Sequence, residues 1–315
     1  MKKTFIGNED AYRYLTGYTS IQHPGPLILC GNKGLGKQRA AEETAAAILG
    51  CSREALSRNG DFFVLDKKEE TVRVEDVLSL LDKSSLAAIG SCKVYLICHA
   101  ERMNMQAQNK LLKLLEDKNR TNIVILLCER DTLLETIKSR CLIIHFYPLT
   151  RQEMGDYLAA RDVPEEDMGL AGFICGNCPY HWDEVSEYFP ALKDTCEKIQ
   201  SVARKEELFR VFRLIQEKDA GEFYSIHSGH YPEALAMLQY VFFSLLLGRT
   251  AAPQDSAGAA ASGGLGSLYT VQELSAVCSE IARHQKQWIT ASYSKNDFFD
   301  LVRSMVQVFS ECNVR

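Results

Sequence analysis

The residues with the clearest chemical potential in this chain form a glycine-rich loop near its start. The loop follows an apolar run, Leu27–Cys30, and its key residues are Gly31, Gly34, Gly36, Lys37 and Gln38. Glycines let backbone N–H groups wrap a polyphosphate, and a lysine in this position reaches the outer phosphates. The next residue is normally serine or threonine, whose hydroxyl binds Mg²⁺. The spacing therefore predicts a P-loop nucleotide site in which one metal ligand is missing.

A second element of such a site should end a neighbouring strand. P-loop hydrolases place an aspartate there for Mg²⁺, often followed by a residue that activates water. The matching run, Lys93–Ile97, is followed by Cys98 and His99. A soft thiol is a poor Mg²⁺ ligand, and His99 is either a base or simply a polar residue at the sheet edge. Glu101 comes two positions too late to replace them, so hydrolysis is predicted to be lost while nucleotide binding stays open.

These residues need a sheet to position them, and the first half of the chain predicts one. Short apolar runs without alternation alternate with helical patterns; they are Leu27–Cys30, Phe62–Leu65, Val94–Cys98, Ile123–Cys128 and Leu142–Phe146. Continuous apolar runs are typical of parallel strands that are covered on both faces. Asn104 is a predicted N-cap for the helix that follows it. The pattern predicts a doubly wound α/β domain that ends near Pro148.

The remainder of the chain is predicted to be helical. We expect an α/β domain over residues 1–149, a small helical domain over 150–204, and a helical C-terminal domain over 205–315 with a flexible Ala/Gly/Ser-rich loop at 251–267. The most apolar stretch, Ala234–Gly248, is shorter than the ~18 residues a membrane span needs, so it predicts a buried helix.

The composition indicates the cellular compartment of the protein and its kinds of partner. The chain has 315 residues, a formal net charge of −5 and eleven cysteines. An odd number of cysteines, several inside apolar runs, favours reduced thiols over a disulfide framework. The start of the chain lacks the apolar segment of a signal peptide. We therefore expect a cytoplasmic protein with no membrane contact, and the net charge gives no sign of direct nucleic-acid binding.

Two stretches, HAERMNMQAQNKLLKLLED and NIVILLCERDTLLETIKSRC, resemble the core of bacterial clamp-loader AAA+ subunits. The similar segments are Ala100–Met103, Ala107–Glu116 and Leu133–Cys141, and the opening Phe5–Glu9 is similar as well. The resemblance covers about residues 1–150 by motif and 150–200 by pattern. It implies an AAA+ P-loop domain, then a small helical lid domain and an all-α collar domain.

The resemblance implies a role for Arg140. In clamp loaders the arginine of a Ser-Arg-Cys motif points at the ATP of a neighbouring subunit, where it spreads transition-state charge. Ser139 and Cys141 would position it. The alternative from the residues alone is that Arg140 ends a helix and interacts with its dipole.

The resemblance also implies a function. The chain would be a non-hydrolysing clamp-loader subunit in a DNA polymerase III holoenzyme. Its partners would be gamma/tau-type ATPase subunits, a delta-type subunit, the sliding clamp and primer-template DNA. No cofactor would be required, and residual ATP or ADP binding stays open.

Two departures from the family bear on metals. Only Cys51 remains of the four-cysteine zinc module that many relatives carry, and Cys175 and Cys178 form a lone pair, so no metal site is predicted. Two other functions compete with the clamp-loader reading: a self-sufficient AAA+ ATPase with an unusual metal site, and an AAA+-fold interaction protein outside the clamp loader.

Overall fold

The computed structural model describes residues 7–21, 24–67, 70–116, 121–201, 231–250, 269–290, 300–301 and 304–305. The chain divides into two compact units, the first formed by Met1–Tyr157 and Cys178–His181 and the second by Leu158–Asn177 and Trp182–Arg315. The expected domain boundaries after residues 149 and 204 stay predictions. The loop predicted at 251–267 and the similar opening at Phe5 and Ile6 lie outside the described residues.

A five-stranded parallel sheet forms the centre of the first unit. Its strands are β1 (Leu27–Cys30), β2 (Phe62–Leu65), β3 (Lys93–Ile97), β4 (Asn122–Cys128) and β5 (Leu142–His145). Their order across the sheet is β2-β3-β4-β1-β5, and every neighbouring pair is parallel. Each predicted apolar run forms a strand, so the predicted parallel sheet is confirmed. Because parallel strands share one carboxyl edge, the ends of β1, β3 and β4 meet there.

Helices cover both faces of this sheet. They are α1 (Glu9–Thr19), α2 (Lys37–Leu49), α3 (Val74–Ser84), α4 (Met105–Leu115) and the short α5 (Glu135–Lys138), with 3₁₀ turns at Arg53–Arg58 and Ala100–Arg102. One core packs α1 and α2 against the sheet, and a second core packs α3, α4 and α5 against the other face. The predicted cap is confirmed, since Asn104 Oδ1 accepts a hydrogen bond from Ala107 N at 2.8 Å.

The described part of the second unit contains helices and no strand. After α6 (Arg151–Ala159), which begins in the first unit, come α7 (Glu165–Ile174), α8 (Pro179–Val185), α9 (Phe189–Gln200), α10 (Tyr231–Thr250) and α11 (Val271–Thr290). Leu235, Leu238 and Phe242 of α10 are buried, which confirms the predicted buried helix. Among the described residues, every helix falls short of the length or the apolar character needed to cross a membrane.

Candidate functional site

The glycine-rich loop joins β1 to α2 in the conformation that its glycines permit. Gly31, Gly34 and Gly36 have φ angles of 150°, 78° and 83°, a region that side chains with a Cβ rarely adopt. At Gly31 a Cβ would lie 2.3 Å from the carbonyl oxygen of Phe146, just past β5. The loop therefore needs glycine both for backbone conformation and for close packing.

Lys37, at the start of α2, is buried in its own loop. Its side chain is 8% exposed, and Nζ donates a hydrogen bond to the carbonyl oxygen of Asn32 at 2.6 Å. Burial lowers the pKa of Lys37, and the nearby charges of Glu129 and Glu101 act in the opposite direction. Glu129 and Glu101 thus supply, near the Lys37 ammonium, the negative charge that a bound phosphate would otherwise provide.

The first turn of α8 packs against the loop. Tyr180 N donates a hydrogen bond to the carbonyl oxygen of Gly34 at 3.0 Å. A Cβ at Gly34 would lie 2.8 Å from both the backbone nitrogen and the Cβ of His181, and one at Gly36 would lie 2.5 Å from the Tyr180 ring. Nothing in the sequence pattern indicated this contact, because the partners are separated by more than a hundred residues.

Gln38 and Cys98 replace the two residues that bind Mg²⁺ in a working P-loop site, and neither is placed to bind it here. Gln38 is exposed, and its Nε2 donates to Glu42 Oε1 at 3.2 Å along the surface of α2. Cys98 is buried, and burial raises the pKa of its thiol to about 12. A protonated, buried thiol is not a ligand for Mg²⁺. Neither residue supplies the oxygen that a working site would use.

Glu101 lies beside His99 and Glu129 at the carboxyl edge of the sheet and acts electrostatically on Lys37. His99 has a left-handed φ of 52°, and the 3₁₀ turn that follows folds Glu101 back along the sheet edge. Glu101 Oε1 lies 3.8 Å from His99 Nδ1, and Glu101 Oε2 accepts a hydrogen bond from Glu129 N at 3.2 Å. The turn therefore brings together two carboxylates and an imidazole at the ends of β3 and β4.

Arg140 follows α5 on the surface of the first unit. Its Nη1 donates to the carbonyl oxygen of Thr136 at 2.9 Å, and its Nη2 lies 2.7 Å from Glu116 Oε1. Ser139 Oγ donates to the same Thr136 carbonyl at 3.2 Å. The side chain of Arg140 is 38% exposed and that of Glu116 is 53% exposed. The helix-end contact considered from the sequence is present in the isolated chain, alongside an ion pair that the sequence did not predict.

Buried neighbours fix the turn that carries Arg140. Cys141 packs against the core beside α4 and α5, and burial raises the pKa of its thiol to about 12. Gln108 of α4 is buried; its Nε2 donates to Met103 O at 3.0 Å, and its Oε1 accepts from Leu134 N, the N-cap of α5, at 2.9 Å. Gln108 thereby ties the start of α5 to α4.

The absence of a metal site at Cys175 and Cys178 stays a prediction. Both side chains are buried, and burial raises the pKa of Cys178 to about 11. Among the described residues, the group of side chains gathered closely enough to hold a metal consists of His99, Glu101 and Glu129.

Sequence comparison finds relatives of the first part of the chain among replication proteins. A family model described as "DNA polymerase III, delta subunit" matches residues 18–150. The chain is 34% identical over 139 residues to the DNA polymerase III subunit delta' of Pseudomonas aeruginosa, which covers 38% of this chain and 42% of that protein. It is 30% identical over 148 residues to the subunit of the same name in Bacillus subtilis, with 42% and 45% covered. The match to replication factor C subunit 4 of Oryza sativa is 31% identical over 175 residues, covering 53% of this chain and 51% of that protein.

These matches span only about half, or less, of the relatives' own lengths. Among solved structures, a DNA polymerase III gamma subunit-related protein of Thermotoga maritima aligns over 95% of this chain and 98% of its own, with 17% identity and a TM-score of 0.46. The fold is shown by the observed parallel sheet.

Proposed function

From the similarity of residues 18–150 to a DNA polymerase III delta subunit family model and to delta' subunits of two bacteria, we propose that the chain is a delta-prime-type subunit of a bacterial clamp loader. It does not hydrolyse ATP, and it supplies Arg140 to the ATP site of a neighbouring subunit. Its partners are gamma/tau-type ATPase subunits and a delta-type subunit. Through that complex it acts on the sliding clamp and primer-template DNA in the cytoplasm.

The state of the chain's own P-loop supports the non-hydrolysing role. Hydrolysis needs Mg²⁺ held beside the outer phosphates and a group that orients water. Gln38 points along α2 and Cys98 is a buried thiol, so neither can hold the ion. The Tyr180 ring lies so close to Gly36 that a Cβ there would be 2.5 Å from it, so a protein side chain already packs against the loop. ATP and ADP are therefore not required ligands of this subunit.

The position of Arg140 carries the proposal. It is the arginine of the Ser-Arg-Cys motif, it follows a helix that Gln108 fixes, and its side chain is partly exposed. Exposed ion pairs such as that with Glu116 typically contribute only about 0.2–1 kcal/mol. A guanidinium bound to phosphate in a water-poor interface interacts more strongly. Exchange of Glu116 for a neighbour's γ-phosphate is therefore favourable.

The test is ATP hydrolysis by a reconstituted complex. The chain is assembled with a gamma-type ATPase subunit, a delta-type subunit, clamp and primed DNA, either as wild type or with Arg140→Ala. Arginine fingers supplied in trans contribute about 10³-fold or more at the site they serve. Since other sites in the complex remain intact, we expect the DNA-stimulated rate to fall by at least about tenfold.

The chain offers a matched control in Arg130. This arginine is exposed in the loop between β4 and α5, in the same unit as Arg140. Arg130→Ala should keep the wild-type rate, and all variants should assemble equally by gel filtration. If Arg140→Ala assembled and hydrolysed ATP like the wild type, the proposed role of Arg140 would be wrong.

The isolated chain tests the enzymatic alternative. We expect no ATP turnover above background. Turnover that Lys37→Ala abolishes would instead establish a self-sufficient ATPase and overturn the non-hydrolysing role.

A further inference from the structure

A histidine and two glutamates meet at the carboxyl edge of the sheet, beside the P-loop. The ligand atoms of His99, Glu101 and Glu129 all lie within 4.8 Å of one another, and each residue is half-buried. Two separate segments contribute: the turn after β3 and the end of β4. We propose that these three side chains bind one divalent first-row transition-metal ion, in the absence of nucleotide.

The carboxylate of Glu101 is held in place before any ion arrives. Its Oε2 accepts a hydrogen bond from Glu129 N, which leaves Oε1 directed at His99. Glu101 is therefore oriented toward His99 before an ion binds, as good metal sites require.

The carboxylates of Glu101 and Glu129 are not directly paired with the nearby Lys37, so a cation could still bind them. Lys37 makes its direct contact with the Asn32 carbonyl, and Glu101 and Glu129 act on it only through space. The cluster contains two carboxylates, and both act on the ammonium of Lys37 without bonding to it. A bound divalent ion would neutralise carboxylates that Lys37 does not pair with directly.

The donor set selects the class of ion. One imidazole nitrogen with two carboxylate oxygens, completed by water, suits Mn²⁺, Fe²⁺, Co²⁺, Ni²⁺ or Zn²⁺, whereas Mg²⁺ and Ca²⁺ prefer oxygen ligands alone. The thiols of Cys98 and Cys128 are close in sequence to the cluster, but both are buried and neither belongs to the group whose ligand atoms meet. The site is therefore a nitrogen and oxygen site, and it differs from the Mg²⁺ site of a working P-loop.

Mn²⁺ is the probe, because the chain has eleven cysteines and thiols would confuse a Zn²⁺ titration. Free Mn²⁺ is measured by electron paramagnetic resonance as it is added to the full-length chain without nucleotide. We expect one Mn²⁺ bound per chain. His99→Asn, which suits the left-handed backbone, and Glu129→Gln should each weaken binding by at least about tenfold.

His145→Ala is the control, since this histidine is exposed at the end of β5, on the same sheet. It should leave Mn²⁺ affinity unchanged, and circular dichroism should show that every variant is folded. Absence of stoichiometric binding, or binding that both site variants leave unchanged, overturns the proposal. Binding that appears only with ATP and is lost in Lys37→Ala would assign the ion to a nucleotide. That result would overturn this inference, while the non-hydrolysing role is still decided by the turnover assay on the isolated chain and the role of Arg140 by its own test.

Discussion

The glycine-rich loop and the Arg140 turn lie in the same α/β unit, but their charged residues face different surroundings. Lys37 is buried, bonded to its own loop and influenced by two carboxylates, and the first turn of α8 covers the glycines. Arg140 is partly exposed and paired with an exposed glutamate. A phosphate would have to displace protein groups to reach Lys37, whereas it would displace only one weak surface contact to reach Arg140. This contrast supports our proposal that the P-loop here serves the fold and that the Arg140 turn serves a partner.

The largest expected effect comes from forcing the covered loop apart. Gly34→Ala adds a Cβ 2.8 Å from the His181 backbone at a φ of 78°, so strain and overpacking together should cost about 2–5 kcal/mol of unfolding free energy. Gly50→Ala is the control, because Gly50 has a φ of 64° with open space around it. It should cost only the strain, about 1–2 kcal/mol. Urea denaturation measures both; equal losses would mean that α8 does not close over Gly34.

In the second region, Gln108→Ala should destabilise the turn that carries Arg140. It leaves Leu134 N and Met103 O without their side-chain partner in a buried setting, at a cost of about 1–3 kcal/mol. Gln106 lies on the same helix but is exposed, so Gln106→Ala should change stability by less than about 0.5 kcal/mol. In the reconstituted complex only Gln108→Ala should also slow ATP hydrolysis. A stability loss without slower hydrolysis would separate Gln108 from the function of Arg140.

Removal of the Tyr180 ring should reopen the P-loop in part. Tyr180→Ala takes away the group packed against Gly36, so binding of a fluorescent ADP analogue should tighten by about tenfold, or about 1.4 kcal/mol. Hydrolysis should stay absent, because Gln38 and Cys98 are unchanged. Tyr14→Ala, at an exposed tyrosine of α1, should bind the analogue as the wild type does. Equal affinity in Tyr180→Ala and wild type would show that the ring is not what closes the loop.

The smallest effect is expected at the ion pair of Arg140. A double-mutant cycle with Glu116→Gln and Arg140→Gln should give a coupling energy of about 0.2–1 kcal/mol, and 1 M salt should reduce it further. A coupling well above that range would mean that Glu116 holds Arg140 too firmly for release to a neighbouring subunit.

Local features of the molecule were predictable from its sequence. Apolar runs with clear ends predicted the strands to within a residue, and Asn104 predicted its helix start because capping depends on neighbours in the sequence. The Ser139-Arg140-Cys141 motif likewise predicted the turn between α5 and β5, because it too is a local pattern in the sequence.

Contacts between distant segments were not predictable in this way. The bond of Tyr180 to Gly34 and the pairing of Arg140 with Glu116 depend on the folded arrangement. One signal was available for Glu129: it follows β4, and neighbouring parallel strands bring their carboxyl ends to the same edge. The proximity of Glu101 to His99 and Glu129 was not predictable, because it depends on the 3₁₀ turn after β3.

The most direct test of the division between the two regions is the rate at which the reconstituted complex loads its clamp onto primed DNA, measured with Lys37→Ala and with Arg140→Ala. Both substitutions remove one positive charge from the same unit. The account predicts that Lys37→Ala stays within about twofold of the wild type, while Arg140→Ala loads at least about tenfold more slowly. A large loss with Lys37→Ala in a folded, assembled complex, or a wild-type rate with Arg140→Ala, would contradict it.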